Sequence, residues 1–347
     1  MSLDETPHFL DNPPPFHSRL LAYGARPYWS ADGKRIAFVD KAFGDVSEMD
    51  FETRQVRQLT HNLGEHHSFL RVLFLASGDY LLIGPAEYKD DKTSRGVESE
   101  LWVMDKRAKS PPYRLGRRLF EGCGVSAIAN RITYAMNGNH NPKLDGVMEH
   151  ECHVTEIEYG ADGRARLGDD RVIYRAIGDV RPEPQDFRHD DSEVIMAEYI
   201  NMHSGRGGRT PPGDWKCVVK GVKLETGEVV TYIDENQVHN ECEGIFPDHE
   251  HICLESSGDV ENQYPPIDLW KLKLDGTGRR VRMTQAFHHA PWRTSNSNVS
   301  PDGRWLAFMT NQRTDVSGTG RGLGLLDLAA WEASPAATQW EYPHPAG

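Results

Sequence analysis

One segment of the chain occurs twice, near its two ends, and this repeat constrains the fold more than any other feature. Residues 29–38 read WSADGKRIAF and residues 299–308 read VSPDGRWLAF, with apolar and turn residues at the same positions. Weaker copies lie between them and begin at Phe74, Val125, Phe187 and Ile245. Successive copies start 45 to 62 residues apart, near the roughly 40 to 50 residues of a propeller blade. The six copies predict a radial β architecture.

Each copy predicts a β-hairpin, because an apolar strand is followed by a tight turn and an alternating strand. A second strand pair follows most copies, so each unit predicts four strands. Only one strand, in GLGLLDLAAW from Gly322, follows the last copy. The segment HSRLLAYGA from His17 is predicted to supply the missing outermost strand, which would close the ring and leave no open sheet edge. Residues 326–332 could form a helical turn, but their place in the repeat predicts a strand.

We therefore expect an all-β, six-bladed propeller with four-stranded antiparallel blades and closure by an N-terminal strand. An open β-sandwich, or a pair of them, is the alternative. The expected division of the chain is an N-terminal extension over residues 1–17, a single propeller domain over 18–332 and a C-terminal tail over 333–347.

Composition restricts the possible partners and the compartment. The formal net charge of −13 disfavours nucleic acid, because no basic cluster offsets it. No apolar run approaches the roughly 20 residues of a membrane helix, so no membrane association is expected. The N-terminus lacks the basic and apolar regions of a secretion signal, which predicts a cytoplasmic protein. The five cysteines are an odd number without CxxC spacing, and we interpret them as buried free thiols.

The Ser-Pro-Asp-Gly turn at residues 300–303 resembles the mark of TolB-like, PD40-type propeller repeats. Within that class the chain is similar to the oligogalacturonate lyases in length and in two late histidine-containing segments, HNECEGIFPDHEHICLESS from His239 and HHAPWRTSNSNVSPDG from His288. The resemblance implies a lyase that acts on uronate oligosaccharides with a histidine-held manganese ion. It also implies seven blades, whereas the sequence contains six repeats.

Polar residues are concentrated in the loops expected at one rim of the propeller. These are the loops that enter each innermost strand and the loops that join the inner and outer strand pairs. The first group contains His67, Arg181, Glu183, His239, His289, Arg293, Asn296 and Asn298, and the second contains Arg95, His140, Tyr199, Arg206 and Glu255.

The segment VHNECEGIFPD is the sharpest candidate site. Strand alternation places His239, Glu241 and Glu243 on one face, and with His289 they are our predicted ligands of a divalent cation, Mn²⁺ or Ca²⁺. A general-base pair of imidazole and carboxylate is an alternative use of the same face, and a solvated strand end is the structural alternative.

The remaining candidates divide by role. Arg293 is expected to bind a substrate carboxylate, with Asn296 and Asn298 beside it, and Arg206 is expected to bind substrate from a loop that covers it. The predicted catalytic residues are His67, His140, His239 and Tyr199.

Two classes of function fit these residues. The first is a carbohydrate-active enzyme, either a metal-assisted β-elimination lyase acting on uronate-containing oligosaccharides or a glycoside hydrolase with paired carboxylates. The second is a non-catalytic propeller that binds protein or glycan through surface tryptophans. The expected partner is an oligosaccharide substrate, and the expected assembly is a monomer or homodimer.

Overall fold

Six antiparallel sheets form from the six sequence copies. The computed structural model describes residues 6–144, 149–201, 215–258, 267–339 and 341–342. Each copy supplies the two inner strands of one sheet, and the segment that follows supplies the outer strands. The inner strands of neighbouring sheets contact one another around the ring. The predicted six-bladed, all-β propeller is therefore confirmed, with six blades rather than seven.

In blades 1 to 5 the strands run outward from the centre in chain order. Blade 1 contains β2 (Ala25–Trp29), β3 (Arg35–Val39), β4 (Val46–Asp50) and β5 (Val56–Gln58). Blade 2 contains β6 (Arg71–Phe74), β7 (Tyr80–Pro85), β8 (Ser99–Met104) and β9 (Tyr113–Arg118). Blade 3 contains β10 (Cys123–Val125), β11 (Arg131–Met136), β12 (Glu149–Tyr159) and β13 (Ala165–Ile177).

The second half of the ring follows the same plan. Blade 4 contains β14 (Val180–Arg188), β15 (Glu193–Ile200), β16 (Lys216–Lys223) and β17 (Val229–Ile233). Blade 5 contains β18 (Asn240–Ile245), β19 (His251–Ser256), β20 (Asp268–Lys273), β21 (Arg280–Arg282) and the added β25 (Glu341–Tyr342). Blade 6 contains β22 (Trp292–Val299), β23 (Trp305–Gln312), β24 (Leu323–Asp327) and, outermost, β1 (His17–Leu21).

The Ser-x-Asp-Gly motif builds the hairpin turn between the two inner strands. Ser300 Oγ donates to Asp302 Oδ1 at 2.5 Å and accepts from the Trp305 amide at 2.9 Å. Asp302 Oδ1 also accepts from the Arg304 amide at 3.0 Å. Gly303 has a φ of +71°, which glycine adopts without a steric cost. The motif is conserved between the two ends of the chain because each of its residues satisfies a backbone group of the turn.

Ring closure depends on the N-terminal strand, as predicted. β1 pairs with β24 in antiparallel register, from His17 opposite Leu326 to Leu21 opposite Leu323. On the inner side of the same joint, Asn298 Oδ1 accepts from the Trp29 amide at 2.7 Å, which ties blade 6 to blade 1. The two ends of the chain therefore hold each other in place.

Short helices lie outside the sheets. They are α1 (Asp91–Gly96), α2 (Leu328–Glu332), α3 (Ala336–Gln339) and 3₁₀ turns at Phe9–Asp11, Pro142–Leu144 and Ala286–His289. The strand predicted over residues 326–332 ends at Asp327, whose side chain accepts from the Ala330 amide and begins α2. Within the described part of the chain, no helix has the length and apolar character needed to span a membrane.

The packing at the ring closure can be tested by a substitution at Gly324. A methyl group at this position of β24 would lie 2.3 Å from the buried Phe308 ring and 2.9 Å from Leu10. We expect Gly324→Ala to lower the free energy of unfolding by about 1–3 kcal/mol, the usual cost of overpacking, as measured by urea titration. Gly96→Ala is the control, because its methyl group would meet only Phe120 at 4.0 Å and should change stability by less than about 0.5 kcal/mol. Equal effects of the two variants would contradict this packing.

Candidate functional site

The innermost strands bring charged and amide side chains to the middle of the ring. A cavity of about 30 Å³ lies there, and its polar lining includes Arg26, Arg71, Gln185, Glu243, Asn296 and Asn298. These residues come from blades 1, 2, 4, 5 and 6. Blade 3 contributes Glu121, just before β10, whose carboxylate interacts with Arg26. This central cavity, which we call the channel, is therefore polar rather than apolar.

His239, Glu241 and Glu255 form a group with the spacing of metal ligands. One ligand atom from each lies within 4.8 Å of the others. His239 Nε2 is buried and 3.3 Å from Glu241 Oε2, without the alignment of a hydrogen bond. Glu241 and Glu255 face each other across β18 and β19, an arrangement of like charges that destabilises a sheet unless something offsets it. One imidazole and two carboxylates suit a divalent cation such as Mn²⁺.

Glu255 and Glu243 interact with each other and with Asn296 beside this group. Burial, reinforced by Glu243 and Glu241, raises the pKa of Glu255 well above its usual value, and the Glu255 and Glu243 carboxyl groups share a hydrogen bond. Burial and the charge of Glu241 raise the pKa of Glu243 to about 7. Asn296 Nδ2 donates to Glu243 Oε1 at 3.1 Å, and the backbone N–H of Asn296 donates to Glu255. These contacts hold the carboxyl groups close together, an arrangement that a bound cation would stabilise.

Glu241 behaves differently from its neighbours. Burial opposes its ionisation, yet the neighbouring His239 and Tyr199 side chains outweigh burial and lower the pKa of Glu241. Burial also raises the pKa of Tyr199 well above 10, so the phenol keeps its proton. The Tyr199 ring lies 6.0 Å from the His239 ring, centroid to centroid. Tyr199 thus presents a proton-carrying hydroxyl beside the candidate cation ligands.

A group of four buried or nearly buried guanidinium groups lies beside the acids: Arg26, Arg71, Arg95 and Arg181. Their shared counter-ion is Glu121. Burial opposes the ionisation of Glu121, but Arg95, Arg26, Arg71 and Arg181 together lower its pKa to about 2. Arg95 also donates to the Ser317 carbonyl at 2.6 Å. This arginine cluster places positive charge directly beside the buried acids.

Arg26 has two buried donors without an acceptor among the described residues, Nε and Nη1, whereas Arg181 has one, Nε. The Arg26 side chain is 5% exposed. Its one carboxylate contact is Glu121 at 3.5 Å, among the described residues. Burial lowers the pKa of Arg26 to about 10, so it remains a cation at neutral pH. A buried, charged and under-used donor of this kind is costly in a folded protein, and an anionic ligand would satisfy it.

The structure brings together five of the predicted site residues. His239 and Glu241 belong to the cation-binding group of His239, Glu241 and Glu255, and the Tyr199 ring lies beside His239. Asn296 is hydrogen-bonded to Glu243, which adjoins the group through Glu255. Asn298 lines the same cavity but uses its carbonyl oxygen to join the blades. Arg206 lies outside the described residues.

The other candidates lie elsewhere. His67 Nδ1 contacts Asp45 at 2.8 Å, and the ring is 6.4 Å from that of His61. His289 packs at 5.7 Å from Phe9. Arg293 is buried and donates to Asn311 within blade 6. His140 accepts from the Asn137 amide at 3.2 Å and lines a groove between blades 2 and 3.

Sequence reasoning did not find Arg26, Arg71 and Glu121. A signal was present for the arginines, because Arg26 and Arg71 each lie three residues before the start of their copies, at Trp29 and Phe74. Asn296 has the same offset from Val299. Aligning the copies backward from the turn would have placed these side chains in one register around the axis.

Comparisons with known proteins establish the fold alone. No family model and no curated protein matches the chain. A gluconolactonase from Xanthomonas campestris has a TM-score of 0.53 at 13% identity, covering 90% of this chain and 89% of that one. Regucalcin, a calcium-binding protein from Agrobacterium tumefaciens, has a TM-score of 0.52 at 11% identity, covering 89% and 92%. An oligogalacturonate lyase from Vibrio parahaemolyticus has a TM-score of 0.48 at 12% identity, covering 88% and 78%.

The cation-binding group makes a direct prediction. Chelator-treated protein titrated with Mn²⁺ should show one saturable site by calorimetry. His239→Ala and Glu255→Gln should each weaken that binding at least tenfold, because each removes one of three ligands. His251→Ala is the matched control from the same blade, since its ring contacts Asp248 instead. Affinity that is unchanged in both ligand variants would exclude the group as the site.

Proposed function

We propose that this protein is a divalent-cation-dependent carbohydrate-active enzyme, and that it cleaves uronate-containing oligosaccharides by β-elimination. The observation that carries the proposal is the position of Arg26. Arg26 lines the same cavity as Glu243, and Glu243 shares a hydrogen bond with Glu255 of the cation-binding group. An anion-binding donor and a cation site therefore share one polar channel.

Each part has a role in elimination next to a carboxylate. Arg26 and Arg71 would bind the uronate carboxylate, and guanidinium pairing favours this planar anion. When bound by His239, Glu241 and Glu255, a divalent cation supplies positive charge that further lowers the pKa of the C–H group beside the carboxylate. The Arg26 charge is not screened by water, because its side chain is buried. Together these charges make the proton acidic enough for a carboxylate to remove it, and we assign this base to Glu243, which lines the same cavity as Arg26 and has a pKa of about 7.

We assign proton transfer to the leaving oxygen to Tyr199. Burial keeps the proton on its hydroxyl, and the side chain interacts with Glu241, whose pKa it lowers. Its ring is fixed under Arg181, whose guanidinium lies 4.6 Å from the ring centroid. A rigid donor of this kind fits general acid catalysis. Elimination then breaks the glycosidic C–O bond and leaves an unsaturated sugar acid.

The two alternatives receive less support. Glycoside hydrolases separate their two carboxyl groups by about 5 Å or more, whereas Glu243 and Glu255 are directly hydrogen-bonded. A binding protein would need exposed aromatic anchors, but Trp29, Trp102, Trp215, Trp270 and Trp292 are buried. These tryptophans pack within and between blades instead.

The reaction can be followed by the ultraviolet absorbance of the unsaturated product. We expect the protein to raise this absorbance with oligogalacturonate or a related uronate oligomer, to lose the activity in EDTA and to regain it with Mn²⁺. Arg26→Gln should raise KM at least tenfold through loss of carboxylate binding, while Arg57→Gln, an exposed arginine of blade 1, should not. No absorbance increase across a panel of uronate oligomers would overturn the lyase assignment.

Tyr199 gives an independent test of the mechanism. Tyr199→Phe should lower kcat at least a hundredfold, in line with the usual effect of general acid catalysis, while changing stability by only about 1 kcal/mol for one lost hydrogen bond. Tyr174→Phe is the matched control, because that hydroxyl also hydrogen-bonds a glutamate, Glu198, but outside the channel group. If both variants retain full kcat, Tyr199 takes no part in proton transfer.

A further inference from the structure

A second polar cavity lies away from the channel, between the outer strands of blades 2 and 3. Its volume is about 650 Å³, within the range of small-molecule sites. Strand β9 forms one wall, and β12 and β13 form the other. The loop containing His140, Asn141 and Lys143 contributes to the lining. His140 of this loop is predicted from the sequence to be catalytic, but it does not belong to the channel.

The lining of this groove has the opposite charge to the protein as a whole. Its cations outnumber its carboxylates by five to three: Arg114, Arg117, Arg118, Lys143 and Arg175 against Glu100, Glu151 and Asp170. The chain has a formal net charge of −13. A local excess of positive charge on an acidic protein concentrates anions at that place.

Several of these cations have unused donors. Arg117 uses Nη1 for the Tyr134 hydroxyl, at 2.6 Å, and for Asp170. Arg118 uses Nη2 for Glu98, at 2.9 Å. Lys143 has no carboxylate within 4 Å in the part of the chain that the structure describes. Among the described residues, the remaining N–H groups of these three side chains have no acceptor and can donate to a ligand.

The other side of the groove is rigid and supplies acceptors. His153 is 5% exposed and lies between two carboxylates, with Nδ1 3.2 Å from Asp170 and Nε2 3.3 Å from Glu151. Its ring stacks on Tyr134 at 5.3 Å. Arg175 Nε donates to Glu151 at 3.0 Å. Carboxylate oxygens held in this way can accept hydrogen bonds from the hydroxyl groups of a ligand without first reorganising.

We propose that this groove is a second ligand site, which binds a small polyhydroxylated anion such as a sugar carrying a carboxylate or phosphate group. Arg117, Arg118 and Lys143 hold the oxyanion, and Glu151 and Asp170 accept from the hydroxyl groups. Burial lowers the pKa of His140 to about 4, so the His140 ring is a neutral part of the wall. The site does not depend on the function proposed for the channel.

Calorimetric titrations with glucose, glucuronate and glucose 6-phosphate test this site, because the three probes share one ring and differ in the anionic group. We expect saturable binding of at least one of the two anions and none of glucose. The preferred anion then identifies a carboxylate or a phosphate ligand. The double variant Arg118→Gln/Lys143→Gln should weaken that binding at least tenfold. Arg107→Gln, an exposed arginine of the same blade that pairs with Asp105, should leave it unchanged.

The variant Arg26→Gln distinguishes anion binding in this groove from anion binding in the channel. Binding that survives in Arg26→Gln and is weakened in the double variant supports the groove. Binding that is lost in Arg26→Gln and retained in the double variant places the anion in the channel and overturns the proposal, as does wild-type protein that binds neither anion at millimolar concentration. Thermal unfolding of each variant checks that the fold is retained.

Discussion

The pairing of buried arginines with Glu121 is the interaction on which the centre of this propeller depends. Moving a guanidinium group out of water costs several kcal/mol unless a partner compensates it. Arg26, Arg71 and Arg95 come from blades 1 and 2, Glu121 precedes blade 3, and Arg181 belongs to blade 4. One carboxylate thus allows positive charge from three blades to approach the axis. Without it, the inner strands would bring together cations that repel one another.

The two halves of the channel site are built in different ways. The cation-binding group is local, because His239, Glu241 and Glu255 all come from one hairpin and the loop that enters it. The arginine cluster is assembled from separate blades, so its geometry depends on ring closure. A change at the β1–β24 joint would therefore disturb anion binding before it disturbed the cation ligands. The radial fold lets these two parts meet although up to about 230 residues separate them in the sequence.

The sequence was sufficient for the architecture and only partly sufficient for the site. Each Ser-x-Asp-Gly turn is a local hydrogen-bonded unit, so the repeat count and the closure by β1 could be predicted. Strand alternation placed Glu243 beside His239 and Glu241, but the register of β18 shifts between Cys242 and Gly244. Gly244 has a φ of +147°, and the bulge removes Glu243 from the strand pairing, while Glu255, directly opposite Glu241 on the next strand, completes the group. Alternation cannot reveal a cross-strand partner or a bulge.

The backbone at Arg26 argues that the channel is built for a ligand rather than for stability. Arg26 has a φ of +54°, a conformation that costs a residue with a side chain roughly 1 kcal/mol or more and that clusters at functional sites. Gly318 faces the same side chain, and a methyl group there would lie 2.7 Å from Arg95 and 3.1 Å from Arg26. Strain, burial and unused donors thus coincide at one guanidinium group. Each of these features is unfavourable for folding alone, and an anion that accepts hydrogen bonds from Nε and Nη1 would compensate all three.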